Sequence, residues 1–202
     1  GAVLDQQGMV KLAPNFPWRD VAFKADLALE LESFGVAAGL PIQVQNDFDV
    51  AALSEYEFGE AHLPDPLIYL GVGIGVGAGI VVRDRLFLGA EGFAGEVGHS
   101  ILQFEGPICS CGRRGCAETF IGQRAMSAQI TGHVGELLPI DTICQLLERN
   151  DEAALLAVRR AGHFLGVLLQ NLWTYFNPGR IVLGGTSCEL GAPFLDAAQS
   201  CL

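Results

Sequence analysis

Five glycines at alternate positions, Gly71, Gly73, Gly75, Gly77 and Gly79, are interleaved with Val72, Ile74, Val76, Ala78 and Ile80. No other stretch restricts the fold so strongly. A period of two is the strand period, so one face of this ribbon carries side chains and the other carries none. The bare face lets another group approach the backbone closely. Two readings fit. The ribbon is a cradle for phosphate, the usual guest of glycine-rich backbone, or it is a tight hairpin whose turn needs positive φ. It is not a GxxxxGK[ST] phosphate loop, a pattern that occurs nowhere in the chain.

A second local pattern carries chemistry. Cys109-Ser110-Cys111-Gly112-Arg113-Arg114-Gly115-Cys116 places three thiols close together, with glycines that let the backbone fold around an ion. His99 lies ten residues upstream of Cys109. Zinc favours four tetrahedral ligands of Cys and His type, and His99, Cys109, Cys111 and Cys116 make such a set. Four protein ligands leave no open position, so the expected role is structural. Buried thiols, or a redox pair at Cys109 and Cys111, are the competing readings. Cys144, Cys188 and Cys201 are scattered and read as small buried hydrophobes.

Carboxylates flank this cluster. Glu96 precedes His99 by three residues and Glu118 follows Cys116 by two. One ion gathering His99 and Cys116 brings both carboxylates together, and charged acceptors bind hydroxyl groups strongly. That suits a polyhydroxyl ligand. Each glutamate alone would read as a surface residue. Asn46-Asp47 opens a helix-like stretch after Ile42–Gln45, which is expected to be a strand. Helix capping is one reading of the pair. The other is a carboxylate placed to take a proton from a substrate hydroxyl.

Composition narrows the classes. The 202 residues carry 12 Lys+Arg against 23 Asp+Glu, a net charge of −11, and half of them are hydrophobic. Such a chain is not disordered, and it lacks the clustered basic residues of a nucleic-acid surface. No basic start precedes an apolar run, as a signal peptide requires. The uncharged stretch from Leu67 to Val82 is short for a membrane span and broken by glycines. A cytoplasmic protein is expected.

Further periodicities set the order of elements. Ala2–Leu4 and Met9–Leu12 read as a hairpin, Pro14–Trp18 as a loop, Lys24–Ala38 and Asp47–Gly59 as helices. Leu67–Leu88 reads as consecutive strands turning at the glycines and at Arg83–Arg85. Helices are expected near 117–130, 139–149, 151–176 and 192–201, with a buried strand at Arg180–Leu183 before Gly184-Gly185. Strands early and helices late give an α/β or α+β class.

Together these motifs resemble the ROK family of repressors, open reading frames and sugar kinases. The resemblance rests on Asn46-Asp47 with Ala51-Ala52-Leu53, Gly71–Val81, Gly95-Glu96-Val97-Gly98-His99, Cys109-x-Cys111-Gly112-x-x-Gly115-Cys116-x-Glu118, and Phe176-Asn177-Pro178 leading to Ile181–Gly185. It spans nearly the whole chain. It implies an α/β, actin-like (ribonuclease H-like) fold of two lobes with a cleft, incomplete at both ends here. Residues 1–45 would be a remnant of the first lobe, and residues 46–202 the second lobe with sugar site and zinc loop.

Carried over by motif, Asn46, Asp47, Glu96, His99 and Glu118 would bind a monosaccharide. His99, Cys109, Cys111 and Cys116 would hold structural zinc. In a kinase member Asp47 would be the catalytic base, and Gly71, Gly73, Gly75, Gly184 and Gly185 would face ATP with its Mg²⁺. The family's Asp-x-Gly-Gly-Thr phosphate motif and any DNA-binding module belong upstream and are not in this chain. DNA contact would therefore need a module outside it. Kinase members tend to carry Thr where Val72 stands. The Phe58-Gly59 helix ending and the Cys-Gly-Arg-Arg-Gly-Cys wording resemble the repressor branch, of the xylose and N-acetylglucosamine repressor type. The expectation is a sugar-sensing regulator region that works as a homodimer, with an ATP-dependent sugar kinase as the alternative.

Overall fold

The computed structural model describes residues 3–4, 7–13, 18–36, 39–59 and 65–202. A small antiparallel sheet comes first: β1 (Val3–Leu4), β2 (Val10–Ala13) and β3 (Trp18–Val21), with Leu4 opposite Val10 and Val10 opposite Val21. The β1–β2 hairpin is as expected, although residues 5–6 of its turn lie outside the described residues. Trp18 belongs to β3 rather than to a loop, and residues 14–17 of that expected loop are likewise outside. Helix α1 (Phe23–Ser33) is shorter than the periodicity suggested, and it buries none of its residues.

The expected strand at Ile42–Gln45 is absent; this segment is irregular and runs straight into α2 (Asp47–Phe58). Its polar group turns along the chain instead of across a sheet. Gln45 Nε2 donates to Asp49 Oδ2 at 3.1 Å, one turn into the helix.

A mixed sheet carries the rest. Its strands are β4 (Leu67–Val72), β5 (Val76–Val82), β6 (Arg85–Leu86) and β7 (Arg180–Gly184), in the order β6-β5-β4-β7. β4 and β5 form the glycine-rich hairpin in antiparallel register, from Leu67 opposite Val81 to Val72 opposite Val76. β7 runs parallel to β4, with Gly71 opposite Gly184. Between them the chain crosses over through α3 (Glu118–Ile121), α4 (Gln123–Thr131), α5 (Ile140–Glu148) and α6 (Glu152–Phe176). α7 (Ala192–Gln199) closes the described structure.

The strand period separates two cores. Ile68, Leu70, Val72 and Ile80 face α6 and α7, against Leu165, Leu168, Leu172 and Phe194. Leu67 and Val81 face α2, against Ala52. This is a helix–sheet–helix sandwich, as an α/β class requires. α6 earns its length from an apolar stripe at helical spacing (Ala154, Ala157, Val158, Ala161, Leu165, Leu168, Leu172). Asp151 caps its start by accepting from the Ala154 N–H at 2.9 Å, and Asn177, at φ +40°, ends it before Pro178. Among the described residues no helix is long and apolar enough to cross a membrane.

Candidate metal centre and carboxylate cluster

The glycine ribbon has its tenant inside the protein. Gly71 and Gly77 lie opposite each other in the hairpin, and the Phe48 ring of α2 rests across the pair. A Cβ at Gly71 would overlap Phe48 Cδ1 and Cε1; one at Gly77 would overlap Cδ2 and Cε2. At Gly79 it would run into the Phe48 carbonyl and come within 2.7 Å of Ala52 Cβ. The bare face is the seat of the first turn of α2. Gly71, expected to face a nucleotide, is therefore covered on that side by an aromatic ring.

The hairpin tip behaves differently. The Gly73 N–H donates to the Gly75 carbonyl at 2.9 Å. A Cβ at Gly73 would lie 3.3 Å from Thr186 Oγ1, and one at Gly75 would lie 2.7 Å from Glu118 Oε2. Gly185 adopts φ +91° beside the Val72 backbone, and a Cβ at Gly184 would collide with Tyr69. So Gly73, Gly184 and Gly185 converge, and they bring with them the Thr186 hydroxyl, which sequence reasoning missed. Val72 points into the core with 1% exposure. Its lack of a hydroxyl therefore says little about a surface it does not face.

α2 is seated so that its N-terminus meets this tip. Asn46 is the N-cap: its Oδ1 accepts from the Phe48 N–H at 2.8 Å. The capping reading of Asn46 is thus correct, and that oxygen is engaged in it. Asp47 stands exposed in the first helical turn. Asp49, which sequence reasoning passed over, is buried at 9% exposure.

Downstream, a 3-10 turn (Val97–His99) sets Glu96 and His99 on one surface, with the His99 N–H donating to the Glu96 carbonyl at 3.0 Å. The cysteine loop is closed by its own backbone. Cys109 N–H donates to Arg113 O at 2.8 Å, Gly112 N–H to Cys109 O at 2.9 Å, and Ala117 N–H to Ser100 O at 2.8 Å. Gly112 and Gly115 supply the positive φ, +86° and +75°, that such a tight loop needs.

The four expected ligands converge. One donor atom from each of His99, Cys109, Cys111 and Cys116 lies within 4.8 Å of all the others. Two of the six edges match those of a zinc tetrahedron. Tetrahedral bonds of about 2.3 Å to sulfur and about 2.05 Å to nitrogen imply edges of about 3.8 Å for S–S and about 3.6 Å for S–N. Cys111 Sγ and Cys116 Sγ are 3.7 Å apart, and Cys109 Sγ and His99 Nδ1 are 3.6 Å apart. The protonation chemistry agrees. Burial, and then the neighbouring Cys111 thiol, push Cys116 up to about 12, and burial raises Cys109 as well. Three adjoining thiolates need a cation beside them.

His99 turns its other nitrogen the opposite way. Nε2 is 3.8 Å from Glu96 Oε2, beyond direct hydrogen-bond reach. Glu118 begins α3 and is anchored on the hairpin, where its Oε2 accepts from the Val76 N–H at 3.1 Å. Burial raises the Glu96 carboxyl, His99 pulls it back, and the charges of Glu118 and Asp47 add to the rise. Glu96 therefore feels the charges of both Asp47 and Glu118, which come from two other elements. A surface with three acceptors and one imidazole suits a ligand rich in hydroxyls.

Comparison with known proteins gives a consistent picture. The model of the ROK family matches residues 1–201. The xylose repressor of Caldicellulosiruptor bescii is 33% identical over 210 residues, covering 97% of this chain and 51% of that protein. A ROK family glucokinase from Streptomyces griseus, solved with glucose and AMPPNP, superposes with TM-score 0.83 at 26% identity over 99% of this chain and 68% of its own. A ROK family transcriptional regulator, a homolog of the E. coli MLC protein, superposes with TM-score 0.80 at 27% identity, over 100% of this chain and 52% of its own. The chain spans about half the length of the curated repressors it matches.

Proposed function

This chain belongs to the ROK family, and from that premise we propose that it is the sugar-sensing region of a transcriptional regulator. The supporting observation is the 33% identity to a xylose repressor along 97% of the chain. Asp47, Glu96 and Glu118 would accept hydrogen bonds from sugar hydroxyls, and His99 Nε2 would contribute from the side facing Glu96. Asn46 would hold the α2 turn that presents Asp47. Residues 1–45 and 46–202 are proposed as parts of two lobes between which the sugar sits.

Zinc is the proposed resident metal, on His99, Cys109, Cys111 and Cys116. It would supply a fixed anchor that ties the loop to the Glu96–His99 turn. With Nδ1 on the metal, Nε2 would be left to face the side on which Glu96 lies. Regulation then requires only that the sugar bind one arrangement of the lobes better than the other. DNA would be gripped by a module outside this chain, in a homodimer in the cytoplasm.

A second reading, an ATP-dependent sugar kinase, is favoured by one cluster. Gly73, Gly184, Gly185 and the Thr186 hydroxyl line one side of the hairpin tip, and the fold matches a glucokinase that holds AMPPNP. There Asp47 would take the proton of the attacking sugar hydroxyl. One experiment separates the readings. The full-length protein is titrated by calorimetry with pentoses, hexoses and amino sugars, and ADP release is followed with MgATP. Binding without ADP release is expected. ADP release with a bound sugar would make the protein a kinase, and no binding of any sugar would overturn both readings.

A further inference from the structure

A cavity of about 450 Å³ lies behind the zinc loop, walled by that loop, α3, α4 and α6. Its volume is that of a small-molecule site. It meets the carboxylate cluster at Glu118 and includes none of Asn46, Asp47, Glu96 or His99. It is therefore a different compartment from the proposed sugar site, with Glu118 as the shared wall.

Its charge is out of character for the chain. Acidic side chains outnumber basic ones about two to one, 23 against 12. Here the balance reverses: Arg124 of α4 and Arg160 of α6 line the cavity against one carboxylate, Glu118. Among the described residues neither meets a carboxylate at ion-pair distance or donates a hydrogen bond. Arg160 is held in place all the same. Its guanidinium lies 6.0 Å from the centroid of Phe164, which stacks on Phe120 at 4.1 Å. A cation over a ring keeps its N–H edge available to an anion. Pro107, Ile108, Phe120 and Val134 provide an apolar wall; Ile108 and Val134 are 68% and 99% exposed. Ser110 adds a hydroxyl, while that of Thr119 already donates to the Cys116 carbonyl at 2.7 Å.

We propose that this cavity is a second ligand site, for a small organic phosphate whose anion bridges Arg124 and Arg160 and whose body lies on the apolar wall. Guanidinium is suited to phosphate because its planar fork matches two oxygens at once. The walls also give the site a route to the sugar pocket. Glu118 borders both, and Cys109 of the zinc cluster lines the cavity. An occupant here would bias sugar affinity through Glu118 and the zinc loop, which is a coupling between two distinct sites. The inference of coupling rests on the sugar-site reading; the phosphate site does not.

The test uses the intact protein and phenyl phosphate as probe, with inorganic phosphate and phenol as partial probes, followed by calorimetry. Phenyl phosphate is expected to bind more tightly than either fragment and to weaken as salt rises. The Arg124→Gln/Arg160→Gln variant is expected to lose at least tenfold in its affinity. Both side chains are exposed, so the variant should keep its melting temperature and its sugar affinity in the absence of phosphate. Asp47→Asn should leave phenyl phosphate binding unchanged, even if it abolishes sugar binding. Equal affinity in the double variant, no saturable binding by the wild type, or loss of phenyl phosphate binding on Asp47→Asn would each overturn the site. If phosphate binding stands while no sugar binds at all, the second site survives and the sugar reading alone fails.

Discussion

Gly77→Ala tests whether the glycine ribbon exists to seat α2. The φ of Gly77 is not positive, so alanine suits its backbone and should by itself stabilise by about 0.4–1 kcal/mol through the unfolded chain. Against that, the new methyl would overlap Phe48 Cδ2 and Cε2 and lie 3.2 Å from Cζ. Overpacking of this kind costs about 1–3 kcal/mol. The net expectation is a loss of about 1–2 kcal/mol, or about 2–8 °C in melting temperature for a domain of this size. Phe48→Ala removes the obstacle and costs about 2–4 kcal/mol for a half-buried ring. In the Phe48→Ala background Gly77→Ala should turn neutral or stabilising, giving a coupling energy of about 1–3 kcal/mol between contacting sites. Four proteins, unfolded in urea and followed by circular dichroism at fixed zinc, close the cycle. Effects that add to within about 0.5 kcal/mol would refute the seating of Phe48 on Gly77.

The His99, Cys109, Cys111 and Cys116 cluster should bind zinc with a steep pH dependence. Cys109 and Cys116 both lie above the ordinary thiol range and carry protons at neutral pH, so binding releases at least two protons. Zinc affinity should therefore fall at least about a hundredfold per pH unit of acidification; competition against a chromophoric chelator at pH 6, 7 and 8 measures the slope, and a slope near one decade contradicts the assignment. Asp47→Asn should weaken sugar binding about 10- to 100-fold, the value of one or two charged hydrogen bonds, in calorimetric titrations, with the urea midpoint nearly unchanged. Asp49 is raised by burial first, then by the charges of Glu96 and Asp47 and against the Gln45 hydrogen bond. A raised acid favours folding while protonated and loses that contribution as pH climbs through its folded value. Asp49→Asn should accordingly raise stability at pH 7, and the gain should vanish below about pH 4; a gain that grows on acidification would contradict it.

Several features were legible because they are local. The three cysteines and their glycines fold around one point through hydrogen bonds spanning only a few residues, such as Cys109 to Arg113, so spacing alone announced the cluster. The stripe of α6 and the Asn46 cap are local in the same sense. Other features were not legible. Ile42–Gln45 has strand-like composition and no strand partner among the described residues, whereas Trp18–Val21 pairs with β2 and becomes a strand. Thr186 and Asp49 gave no motif, since each matters only for what it adjoins: Gly73 for the one, Gln45 for the other.

The alternating glycines mark the boundary between the two kinds of information. Their period of two determined a bare strand face, because side-chain direction alternates along any strand whatever surrounds it. What covers that face was decided by long-range packing: β4 and β5 pair so that Gly71 meets Gly77, and a ring from α2 lies across both. The same packing brings the charges of Asp47 and Glu118 to bear on Glu96, and Arg124 and Arg160 to one cavity. A sequence specifies which surfaces its elements present, through propensity and period. Which surfaces meet is a property of the whole chain, since each contact forms only when its volume and charge fit those of a partner far away in sequence.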